Sequence, residues 1–111
     1  MTSLDGRRFA ATSDVVGGEI TPDTEFLYAE SDGVVTAEYG GGAVRRGFLV
    51  GTRVGDRLDF RYSQLNQDGQ TSNGHCLSTV STLPDGRLHL QESWQWESRE
   101  GTGTSAADEV L

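Results

Sequence analysis

Asp-Gly and Gly-Gly dipeptides break this chain at near-regular intervals, and between the breaks apolar residues recur at every second position. No other feature constrains the fold as strongly, because period-two segments joined by tight turns make antiparallel hairpins and not helices. Asp5-Gly6, Asp32-Gly33, Asp68-Gly69 and Asp85-Gly86 all tolerate the positive φ of hairpin turns. Gly40-Gly41-Gly42 and Val54-Gly55-Asp56 add two more turns, and Glu100-Gly101 adds a weaker one. Gly17-Gly18 with Pro22-Asp23 marks a longer first connection. Composition agrees: 15 Gly against 2 Pro fits many turns, and 34% hydrophobic residues suffice where each strand keeps one wet face.

Eight segments result: near Arg7–Ser13, Thr24–Glu30, Val34–Tyr39, Ala43–Val54, Arg57–Leu65, Gln70–Thr82, Arg87–Glu97 and Thr102–Leu111. Their alternation aligns Phe26, Tyr28 and Glu30; Val35, Ala37 and Tyr39; Val44, Arg46, Phe48 and Val50; Leu58, Phe60, Tyr62 and Gln64; and Leu88, Leu90, Glu92, Trp94 and Trp96. In the sixth segment Asn73, His75 and Leu77 stand against Gly74, Cys76 and Val80. The last segment alternates only weakly, and its small polar stretch Thr102–Ala107 reads equally as a frayed tail. The central segments are long, so they curl, with Gly47, Gly51 and Gly74 as sites for bulges or bends. The expected fold is all-β: an up-and-down antiparallel barrel of about eight strands, one domain over residues 1–111, which removes exposed edges. An open sheet or two-sheet sandwich is the competing arrangement, and a five-stranded oligonucleotide-binding barrel fits the strand count and charge less well.

The net charge of −8 repels phosphate, so neither nucleic acid nor an anionic membrane is an expected partner. The single cysteine, Cys76, excludes an internal disulfide and a cysteine-rich zinc site. No apolar leader or spanning stretch is visible, which makes the cytoplasm the expected location.

With this strand pattern the chain resembles the calycin group of lipocalins, fatty-acid-binding proteins and avidins, which implies a ligand-holding barrel. The likeness is one of topology. The Gly-x-Trp that opens lipocalins is absent, since Trp94 and Trp96 stand near the other end. The chain is also similar to a family of short uncharacterised bacterial proteins through Gly6-Arg7-Arg8-Phe9, Ala37-Glu38-Tyr39, Gly47-Phe48-Leu49-Val50-Gly51, Leu58-Asp59-Phe60-Arg61-Tyr62 and Leu83-Pro84-Asp85-Gly86-Arg87 with Trp94-Gln95-Trp96. Its members are often labelled N-acetylglutamate synthase. The usual acetyltransferase fold holds the pyrophosphate of acetyl-CoA at a helix N-terminus, and no glycine-rich strand-to-helix loop offers one here.

Glu92 is the first candidate for chemistry. Between Leu90 and Trp94 it faces the interior, where desolvation raises a carboxyl's pKa into the range of a general acid or base. Arg46, in phase with Val44 and Phe48, would either hold a ligand anion or pair with Glu92 or Glu30. Tyr28, Tyr39 and Tyr62 would offer phenols to a polar ligand or cap the core. His75 is the histidine expected inward, as a base or a hydrogen-bonded wall residue, whereas His89 should face solvent. No second histidine stands at a ligand spacing, so no metal site is expected. Cys76 should point away from His75 as a small packing residue. Trp94 and Trp96 would either stack against an aromatic ligand or plug the core.

Three functions fit. The first is a non-enzymatic small-molecule binder, its pocket lined by Tyr28, Tyr39, Arg46, Tyr62, His75, Glu92 and Trp94. The second is a cofactor-independent cyclase or isomerase in which Glu92, Arg46 and His75, with a tyrosine as proton donor, are the catalytic candidates. The third is a packed structural or interaction module. A homodimer paired through the barrel walls is compatible with all three.

Overall fold

The computed structural model describes residues 2–111, and these form eight antiparallel strands closed into a barrel in the order β1 to β8, each paired with its neighbours in sequence and β8 with β1. The strands are β1 Arg8–Ala11, β2 Glu25–Ser31, β3 Val34–Gly41, β4 Val44–Val54, β5 Arg57–Asn66, β6 Thr71–Thr82, β7 Leu88–Trp96 and β8 Thr102–Val110. Of the four Asp-Gly turns, Asp32-Gly33 takes the positive pair that a tight hairpin requires, with φ of 53° and 76°; at Gly6, Gly69 and Gly86 the glycine alone is positive. Closure removes every sheet edge. The weakly alternating last segment is a full strand and no frayed tail, because it completes the ring against Phe9 and Ala10. Its inward side is small for a reason: a side chain on Gly103 would collide with the indole of Trp94.

Bulk on one strand faces smallness on the next across the interior. Phe60, Cys76 and Trp94 lie side by side on β5, β6 and β7, and Tyr62, Gly74 and Trp96 form the adjacent row. Gly47 similarly lies beneath the Tyr39 ring. Gly47 and Gly74 accommodate rings from neighbouring strands; the irregularity of β4 lies at Arg45 and not at Gly47 or Gly51, and the pairing of β6 runs without a register shift at Gly74.

That bend decides the face of β4. Gly40 of β3 stands opposite both Arg45 and Arg46, and β5 pairs Val44 with Asn66 but Arg46 with Leu65. Arg45 is thus the extra residue of a β-bulge. The bulge lets two consecutive arginines both face water, where strict alternation would bury one of them. Beyond it the phase is reversed: Gly47, Leu49, Gly51 and Arg53 turn inward, while Phe48 and Val50 are exposed on the outer wall.

One end of the barrel is sealed. Leu4, fully buried, plugs it from the N-terminal segment above Phe9, Tyr28, Leu58 and Leu90. Two ion pairs lock the plug. Arg53 contacts Glu30 at 2.7 Å, with both side chains largely buried, and the Leu4 amide donates to the same carboxylate at 2.9 Å. Arg7 forks onto Glu109 at 2.8 and 3.0 Å, and Glu109 also accepts the Leu88 amide.

Candidate functional site

At the opposite end the side chains do not meet, and a cavity of about 60 Å³ remains inside the barrel. By the rule that one water needs roughly 10–15 Å³ of such space, it has room for about four to six waters, or for one small ring. Its walls are aromatic: Phe26, Tyr39, Phe60, Tyr62, Trp94 and Trp96. Phe26 stacks on Tyr39 with centroids 4.5 Å apart, and Trp96 meets both Trp94 and Tyr62 edge to face. The connection between β1 and β2 lies over this end. Val15, Gly18, Glu19 and Ile20 line the cavity from above, and the Trp96 indole N–H donates to the Gly17 carbonyl at 3.1 Å. Gly17 supplies the left-handed turn of that loop, with φ 80°, and a side chain there would come into van der Waals contact with Trp94.

Polar groups reach the cavity at two levels. At the loop end the Tyr39 hydroxyl donates to Gln64 at 2.9 Å, Gln64 donates to Glu19 at 3.0 Å, and Asn66 donates to the second Glu19 oxygen at 2.8 Å. Deeper, Glu92 projects from β7 between Leu90 and Trp94, as the alternation predicts. Its neighbours are weak neutral donors: the Ser105 hydroxyl at 3.4 Å and the Cys76 thiol at 3.9 Å. Burial pushes the Glu92 carboxyl up from 4.5 to about 7, a shift that these two contacts and the distant His89 only partly oppose. Burial, reinforced by Glu92, likewise pushes the Tyr28 phenol and the Cys76 thiol up, so both stay protonated at neutral pH. Tyr39 and Tyr62 are raised chiefly by burial as well.

The seven residues expected to line the pocket separate into three groups. Tyr39, Tyr62, Glu92 and Trp94 meet in the cavity. Tyr28 points inward but packs edge-on against Phe9 in the sealed half, below the cavity lining. Arg46 and His75 are on the outer wall, contrary to expectation. The bulge at Arg45 turns Arg46 outward, where it pairs with Glu38 at 3.2 Å, both side chains more than half exposed. His75 lies outside because its β6 neighbours Gly74 and Cys76 must supply the small inward surface facing Tyr62, Phe60 and the tryptophans; it pairs with Asp59 on the outside. The catalytic set Glu92, Arg46 and His75 is therefore not assembled. The inward arginine is Arg53, and it belongs to the sealed end. Glu19, Gln64, Trp96 and Ser105 complete the site. Gln64 and Trp96 were in phase with the inward rows of β5 and β7, whereas nothing local in the sequence marks Glu19 as part of a cover.

No curated protein and no solved structure matches the chain. A family model described as avidin-like protein matches residues 2–110. With that match over nearly its whole length, and with the closed eight-stranded barrel that the calycin resemblance implied, the chain belongs to the avidin-like protein family.

Proposed function

We propose that this protein is a small-molecule-binding barrel that takes its ligand into the cavity beneath the β1–β2 loop. The observation that carries the reading is the contrast between the two halves of one interior: a plugged end, locked by ion pairs, and an unfilled end walled by six aromatic rings with a carboxyl projecting into it. Packing alone explains the first half. The second has the composition of a ligand site, a mostly apolar wall with a few convergent polar groups. Membership of the avidin-like family, which binds small molecules such as biotin, supports the same reading.

The two tryptophans of the chain both line the cavity, so their emission reports its occupation. Titration with a panel of one- and two-ring compounds, and with biotin, should give a saturable change for at least one of them. Ala107→Leu, which fills the wall, should abolish it. A panel without any saturable response, or a variant that binds as well as the parent, would contradict the proposal. Proton transfer by Glu92 is a second reading favoured by its pKa near neutrality, with the tyrosines and not Arg46 or His75 as its companions.

A further inference from the structure

Among the described residues, the other buried or half-buried carboxylates on the inner side of the barrel are well supplied with partners. Glu109 holds Arg7 and the Leu88 amide, Glu30 holds Arg53 and the Leu4 amide, and Glu19 receives the side-chain amides of Gln64 and Asn66. Glu92 alone has only a hydroxyl at 3.4 Å and a thiol at 3.9 Å. A buried carboxylate left with contacts this long lacks the strong donor its ionised form requires. No arginine, lysine or histidine is among the residues lining the cavity. The chain contains no lysine, and Arg99, stacked on the Trp96 ring at 4.2 Å, is not part of the lining.

The strand groups around Glu92 are neutral in their protonated forms: Tyr28 on β2, Tyr39 on β3, Tyr62 on β5, Cys76 on β6 and Ser105 on β8, while β1 and β4 contribute Ala11 and Leu49 to the cavity. The β1–β2 loop adds the Glu19 carboxylate, already held by Gln64 and Asn66. His89, three residues before Glu92 on β7 and on the opposite face of the strand, is paired with Asp108. Aromatic rings wall the same cavity, and the face of such a ring, unlike its edge, attracts positive charge.

We infer that the cavity is built to take a compact organic cation, a protonated amine or nitrogen heterocycle of about one ring, with its charge on Glu92 and its body against the aromatic wall. This deepens the binding function proposed above and rests on it. An anionic ligand, the natural guest had Arg46 faced inward, meets a carboxylate and no countercharge.

Three probes of nearly equal shape separate the possibilities: benzylammonium, benzyl alcohol and benzoate, followed by tryptophan emission and calorimetry at pH 8. Benzylammonium should bind at least tenfold tighter than benzyl alcohol, with benzoate weakest. Glu92→Gln should reduce that preference to less than threefold while benzyl alcohol still binds. In the unsubstituted protein, lowering the pH from 8 to 5.5 leaves the amine charged but protonates Glu92, so benzylammonium should weaken about tenfold or more and benzyl alcohol should not. Equal affinity for cation and alcohol, tightest binding of benzoate, or an unchanged preference in Glu92→Gln would overturn the inference and leave the binding function standing. If none of the three binds while another neutral compound of the panel does, the inference likewise fails. If nothing in either set binds, both fall together.

Discussion

Replacing Glu92 by Gln should make the protein more stable in alkaline than in acidic solution relative to its parent. The Glu92 carboxyl stands inside the barrel. Held inside the barrel with two weak donors, it releases its proton at about 7, against 4.5 when solvated. Below pH 4.5 it is protonated in folded and unfolded chains alike and exerts no pH-dependent effect. Between 4.5 and about 7 the unfolded chain has released the proton and the folded one has not, so stability falls as pH rises, by up to about 1.4 kcal/mol per pH unit. Above 7 the loss is complete, at about 3 kcal/mol for the shift described. Gln keeps the shape and removes the charge. The difference in stability between variant and parent should therefore climb by about 3 kcal/mol from pH 4.5 to pH 8, whatever constant offset the amide introduces. At roughly 4 °C per kcal/mol for a chain of this size, that is about 12 °C in melting temperature. Paired thermal melts across this range, without ligand, read the difference directly, since groups other than Glu92 cancel. Parallel curves would refute the reasoning, because they would mean that the carboxyl is as well solvated folded as unfolded.

The sealed end and the outer wall give further tests. Arg53→Ala leaves the Glu30 carboxylate buried without its cation and should cost about 3–5 kcal/mol in urea denaturation; a loss below 1 kcal/mol would show that this pair does not lock the plug. Arg46→Ala and His75→Ala remove exposed partners of Glu38 and Asp59, and should leave probe binding within twofold of the parent, whereas a tenfold loss for either would put it back in the site. The Cys76 thiol is buried and held protonated, so a disulfide reagent at pH 8 should label it only at the rate of opening or unfolding; reaction as fast as that of a free cysteine would contradict its placement.

What the sequence revealed and what it hid differ by range. Turn chemistry is local, and Asp32-Gly33 or Asp85-Gly86 announces itself; so does the alternation of Leu58, Phe60, Tyr62 and Gln64 or of Leu90, Glu92 and Trp94, where no irregularity intervenes. Glu92 was legible for this reason. Arg46 misled because one bulged residue reverses every later side chain on a strand. The adjacency of Arg45 and Arg46, two charges in a row where alternation demands that one be buried, was the available warning. His75 misled for a different reason. Both faces of β6 mix polar and apolar residues, and the choice between them is made by the bulk of Phe60, Tyr62, Trp94 and Trp96 on the flanking strands, which no window along β6 contains. The cover formed by the β1–β2 loop, and with it Glu19, depends on contacts with β5 and β7 far along the chain.

The central claim is that a desolvated, under-partnered carboxyl sits in the cavity of this barrel, awaiting a cation. Carbon-13 NMR of the Glu92 side-chain carboxyl, titrated with pH, measures it most directly. A midpoint near 7 that drops when benzylammonium is added is the predicted result. A midpoint near 4.5 that the amine does not move would contradict the account.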